Sequence, residues 1–113
     1  MITLWHNPRC SKSRQTLALL DAAGAEVTLR RYLEDAPSLT ELRAAQEALD
    51  LPVIAMMRQG EARFRELGLS ATSNEDALLR AMAENPSLIE RPIAFRDGRA
   101  VIGRPPEAVN ALF

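Results

Sequence analysis

A chain of 113 residues, 47% hydrophobic and 26% charged, has the balance of one globular domain with an ordinary core. A net charge of −1 excludes a general nucleic-acid or membrane-surface binder, and a single cysteine excludes an internal disulfide framework and a multi-cysteine zinc site. No apolar run reaches the length of a membrane span or a signal-peptide core, and Met1-Ile2-Thr3-Leu4-Trp5 leads straight into a strand pattern, so a cytoplasmic protein is the expectation.

The elements follow in order. Ile2 to His6 reads as a short apolar strand ended by Asn7-Pro8, where Pro8 holds Asn7 extended. Ser11 or Ser13 can cap a helix carrying Leu17 and Leu20, with Gly24 as its stop. Glu26 to Tyr32 alternates as a second strand, and strand, helix, strand within about thirty residues makes a βαβ unit with parallel strands. Ser38-Leu39-Thr40-Glu41 is a capping box opening a helix through Leu42, Gln46 and Leu49. Pro52 starts a shorter one in which Val53, Met56 and Met57 share a face as core filling. Ser73-Asn74-Glu75-Asp76 caps another, carrying Leu78, Leu79 and Met82 and stopped by Asn85-Pro86. Pro92 to Phe95 and Ala100 to Gly103 flank Asp97-Gly98, a hairpin turn, and Pro105-Pro106 suits the first turn of a last helix with Val109, Leu112 and Phe113.

The chemistry concentrates at His6-Asn7-Pro8-Arg9-Cys10-Ser11-Lys12-Ser13-Arg14, which holds the only cysteine and the only histidine. A thiol at the mouth of a helix and among Arg9, Lys12 and Arg14 ionises easily, and the thiolate is the nucleophile. An unperturbed thiol of pKa ~8.5 is only about 3% thiolate at pH 7. A helix N-terminus supplies about 0.3–1 kcal/mol towards ionising it. The remainder falls to cations and donors: Arg14, Lys12, a protonated His6 and arginines from further along the chain. A Cys-x5-Arg phosphate loop is absent, since Arg14 comes too soon and Arg30 too late.

The element order with a cysteine after the first strand resembles a thioredoxin/glutaredoxin-like α/β domain. That resemblance implies a four-stranded mixed sheet with helices on both faces. It also implies one domain over residues 1–113 with a helical insertion from about 38 to 88 between strands 2 and 3. Ser13 takes the place of the second cysteine of a Cys-x-x-Cys pair, and Pro92 stands where that fold has a cis-proline beside its thiol.

Trp5-His6-Asn7-Pro8-Arg9-Cys10 with Ser13-Arg14, Tyr32-Leu33-Glu34, Met57-Arg58, Glu66-Leu67-Gly68-Leu69, Asn85-Pro86, Arg91-Pro92-Ile93 and Gly103-Arg104-Pro105, in this order, resemble the glutaredoxin-coupled arsenate reductase (ArsC) family. Arg9 and Ser11-Lys12-Ser13, with the short segment after Arg104, are closer to its shorter arsenate reductase-like subgroup. The resemblance implies Cys10 as nucleophile, Arg58, Arg91 and Arg104 as the oxyanion-binding arginines, and His6, Ser13 and Arg14 as residues that tune the thiol. It implies no bound cofactor or metal, arsenate or a similar oxyanion as substrate, glutathione as co-substrate and glutaredoxin as partner. Without a resolving cysteine, external thiols are obligatory for turnover. Two other readings stay open. A monothiol glutathione-linked oxidoreductase would keep Cys10 and Pro92 without needing three arginines. An RNA polymerase-binding regulator of the Spx type would share the fold, although many of those carry the Cys-x-x-Cys switch that Ser13 breaks.

Overall fold

The computed structural model describes residues 1–113, which fall into two compact units, Met1–Asp35 with Arg91–Phe113, and Ala36–Glu90. The first contains a four-stranded mixed sheet in the order β2-β1-β3-β4, from β1 (Ile2–Trp5), β2 (Val27–Arg30), β3 (Ile93–Arg96) and β4 (Arg99–Ile102). β1 pairs parallel to β2 across the crossover helix α1 (Ser11–Ala22) and antiparallel to β3, and β3 pairs antiparallel to β4. Asp97 and Gly98 both take positive φ, 50° and 77°, which is the geometry of a two-residue turn matched to the twist of the strands.

Period-two alternation puts Ile2 and Leu4 on one face of β1, where they pack with Leu20, Ala94, Val109 and Leu112 into a dry cluster. Each Ile, Leu or Val side chain among them, fully buried, contributes about 1.5–3 kcal/mol. Trp5 pairs with Ile93 in register, and its ring stands 4.8 Å from that of Phe95. The second strand is shorter than its sequence pattern: β2 stops at Arg30, leaving Arg31 and Tyr32 outside it, and as an edge strand it leaves Leu29 exposed. Pro106 to Leu112 winds as a 3-10 helix, with Pro106 at its first position. Its terminal carbonyls take guanidinium donors from the hairpin, Arg96 to Leu112 O at 3.1 Å and Arg99 to Ala111 O at 3.3 Å.

The second unit is helical: α2 (Leu39–Leu49), a 3-10 turn at Val53–Met56, α3 (Ala62–Glu66), α4 (Glu75–Glu84) and a 3-10 turn at Pro86–Leu88. The sequence pattern did not mark α3 or the last turn, both too short to show a period. Ser38 and Glu41 close the capping box reciprocally, and Asn74 caps α4 through the amides of Asp76 and Ala77. Val53, Met56 and Met57 are all buried, although Met57 lies past the 3-10 turn and bridges to Ile89. Ser38→Ala removes the bond from the Glu41 amide to Ser38 Oγ, while the amide of residue 38 can still donate to Glu41 Oε1, and should lower the unfolding free energy by about 1 kcal/mol in urea denaturation.

Candidate active site at Cys10

Pro8 sets up the turn that delivers the thiol. The Cys10 amide donates to Asn7 O at 3.0 Å, closing a β-turn with proline at its second position, and Asn7 Oδ1 accepts from the Arg9 amide at 3.0 Å. Cys10 thereby becomes the N-cap of α1, with extended φ and ψ of −93° and 124°. Neither Ser11 nor Ser13 caps the helix. Ser13 is fully buried, and its Oγ accepts from the Asn7 amide at 3.1 Å and meets His6 Nδ1 at 2.6 Å. Ser13 Oγ therefore ties the Asn7 backbone and the His6 ring together inside the loop.

Cys10 is only 8% exposed, although its sequence neighbours are polar. Arg9, Lys12 and Arg14 are exposed, and Arg14 Nη1 donates to Pro8 O at 3.0 Å, bracing the loop instead of the sulfur. The charge at the thiol comes from the far end of the chain. Arg104 Nη2 lies 3.6 Å from Cys10 Sγ, and its Nε donates to Arg91 O at 2.7 Å. Burial pushes the Cys10 thiol up. The side-chain hydrogen bond from Arg91, the amides of Ser13 and Lys12, and the Arg91 charge outweigh that cost and leave the pKa below its ordinary value. Burial also works against the charge on Arg91, which Cys10 and Tyr32 hold in place. Tyr32, fully buried and two residues past β2, belongs to the Tyr32-Leu33-Glu34 motif, but nothing local in the sequence marks it as facing Arg91 or gives it a role at the site.

His6 contributes no cation. Burial first, then the charges of Arg31 and Arg14, lower its pKa. The Arg91–Pro92 peptide bond is cis, as is Arg104–Pro105. Arg58 belongs to the helical unit. There its guanidinium is paired with Glu61, and Nε lies 3.9 Å from Glu90 Oε1, while its amide donates to Leu88 O at 2.8 Å. No three His, Cys, Asp or Glu side chains stand together in a metal-binding group.

What this arrangement can do is hold a thiolate against a helix end and two guanidinium groups, a setting that favours both the nucleophile and a bound oxyanion. Two outcomes follow. Ser13→Ala strands the Asn7 amide and His6 Nδ1 and should cost about 2–3 kcal/mol in urea denaturation. The unfolded chain protonates His6 near 6.5 and the folded chain only at lower pH, so the unfolded state carries the extra proton in between and stability falls on acidification below about pH 6.5. In a Cys10→Ser background, which removes the thiol's own titration, His6→Asn should flatten that fall, because Asn Oδ1 can stand in for Nδ1.

Three comparisons place this geometry among known proteins. The ArsC family model matches residues 5–112. An arsenate reductase of Neisseria meningitidis serogroup A is 43% identical over 113 residues, spanning 98% of this chain and 97% of that one. An arsenate reductase of Escherichia coli is 37% identical over 109 residues, covering 96% of this chain and 77% of that longer protein. The structure of an arsenate reductase from Vibrio cholerae superimposes with a TM-score of 0.96 at 47% identity, covering 99% of this chain and 97% of that one. A family model that matches nearly the whole chain, together with relatives nearly coextensive with it in sequence and fold, shows that the chain belongs to the ArsC family.

Proposed function

We propose that this protein is an arsenate reductase that reduces arsenate to arsenite in the cytosol, with Cys10 as nucleophile and glutathione and glutaredoxin as the reductants. The observation that carries the reading is the meeting of Arg91 and Arg104 at one sulfur, which pairs a thiolate with donors for an oxyanion. The names of relatives nearly coextensive with the chain support the substrate.

In the proposed cycle the Cys10 thiolate attacks arsenic(V) and one arsenate oxygen leaves as water. Arg91 and Arg104, which do not deprotonate, take up the negative charge that builds on the remaining oxygens, with Arg58 as the third arginine. A glutathione thiolate then attacks the Cys10 sulfur, forming a sulfur–sulfur bond. The sulfur–arsenic bond breaks with its electron pair staying on arsenic, which departs as arsenite. A glutaredoxin thiolate attacks the glutathione sulfur of the mixed disulfide and returns Cys10 as thiolate. Ser13 cannot take the resolving step, having no thiol and a hydroxyl already committed to His6 and Asn7.

The test is arsenate-dependent NADPH oxidation coupled through glutathione, glutaredoxin and glutathione reductase. The wild type should turn over and Cys10→Ser should not. Arg91→Ala should lose about 10²–10³ in kcat/KM, the loss typical of removing one preorganised donor from a developing anion. Turnover of a glutathionylated disulfide by a wild type inert towards arsenate would sink the assignment.

A further inference from the structure

We propose that Gly103 is a positioning residue for the Cys10 site, its bare backbone allowing the end of β4 to close on Thr16 of α1 and on Pro92 and so fixing where the two arginines meet the sulfur. Conformation does not require glycine here, since only Gly24, Gly68 and Gly98 have positive φ. Space does. A Cβ at residue 103 would lie 2.6 Å from Thr16 Oγ1, 2.8 Å from Pro92 Cγ and 3.2 Å from Thr16 Cγ2, whereas the other four glycines have open space at that position.

Each neighbour of that contact leads to the thiol. Thr16, fully buried, donates through Oγ1 to Lys12 O at 2.9 Å, and the Lys12 amide is one of those bearing on the Cys10 sulfur. Pro92 O accepts from the Gly103 amide at 2.9 Å, extending the β3–β4 ladder by one rung, and Pro92 follows Arg91 directly. Arg104 is the next residue, reaching both Arg91 O and Cys10 Sγ. A methyl group at residue 103 needs Thr16 on the helix behind the thiol or Pro92 at the hairpin base beside Arg91 to give way, and the strain falls on the elements that carry the sulfur and both guanidinium groups. Moving them by a few tenths of an ångström weakens charge-assisted contacts to sulfur before it unfolds anything. A glycine with room would behave oppositely, since Ala at an unstrained φ stabilises by about 0.4–1 kcal/mol.

The inference rests on Cys10 as the reactive thiol of the proposed function but not on arsenate as its substrate. Since Cys10 is the only cysteine, the rate of alkylation by iodoacetamide against pH reports that thiolate alone. Gly103→Ala should raise the alkylation midpoint by about one pH unit, slowing the reaction about tenfold on the acid limb. Val109→Ala, which opens the buried core cluster away from the thiol, should lower thermal stability and leave the midpoint where it is. Adding Thr16→Ala to Gly103→Ala removes two of the three crowding atoms and should bring the midpoint part of the way back. The double variant also serves if Gly103→Ala alone fails to fold, and a wild-type midpoint in the double variant would then overturn the inference. So would an unchanged midpoint in a folded Gly103→Ala, or a rise equalled by Val109→Ala. Since alkylation needs no arsenate, a wild type that ignores arsenate would overturn the substrate and leave this inference standing.

Discussion

Two guanidinium groups bear on a single sulfur at Cys10, and the backbone of one residue holds the side chain of the other. Arg104 spends its Nε on the Arg91 carbonyl and turns Nη2 to the thiol, while Arg91 meets the same sulfur from its own side and rests on Tyr32. Hydrogen bonds to ionised groups are worth about 1.5–3 kcal/mol each, against about 1 kcal/mol for neutral ones. Burying the thiol would by itself disfavour the thiolate, so without these contacts the covered Cys10 would be a small inert hydrophobe.

The rest of the first unit can be understood as the frame for that meeting. β1 sits at the centre of the sheet and sends its C-terminal end into the Asn7–Cys10 turn, and the β3–β4 hairpin brings Arg91 and Arg104, 13 residues apart, to the same end. Ser13 ties the turn to the helix from within, using the one atom that a cysteine would spend on a disulfide. The helical unit has its own core and holds the backbone of Arg58 by the bridge between Met57 and Ile89 and the amide bond to Leu88. An anion calling on Arg58 would compete there with Glu61 and Glu90.

The elements with strong local signals were legible in the sequence: the capping box at Ser38, the Asn74 cap, the Asp97-Gly98 turn and the βαβ crossover. Each depends on residues within one turn of each other. Cys10 as the candidate thiol was legible for the same reason. The source of its activation was not. Arg14, Lys12 and Arg9 are near in sequence yet exposed, Arg9 in the turn before the N-cap Cys10 and Lys12 and Arg14 on the outer side of the first helical turn, whose inner side is taken by Ser13. Arg91 and Arg104 are some eighty and ninety residues away, and only strand order brings them back. The sequence leaves Thr16 unmarked and Tyr32 without a part in the site, because burial, not residue type, gives them their roles. The protonated His6 expected from its proximity to the thiol gives way to a neutral ring, since desolvation and two nearby arginines both oppose its charge.

That neutral ring has a consequence for the electrostatics of the whole site. Arginines do not titrate in the physiological range, and His6, the only histidine, is held on the uncharged side of its equilibrium. Around neutrality the arginines and His6 then present an incoming anion with a constant field, and the sulfur is the titratable group among them that carries the negative charge. Acidification would reach the chemistry through the sulfur itself and the stability of the fold through the His6 proton.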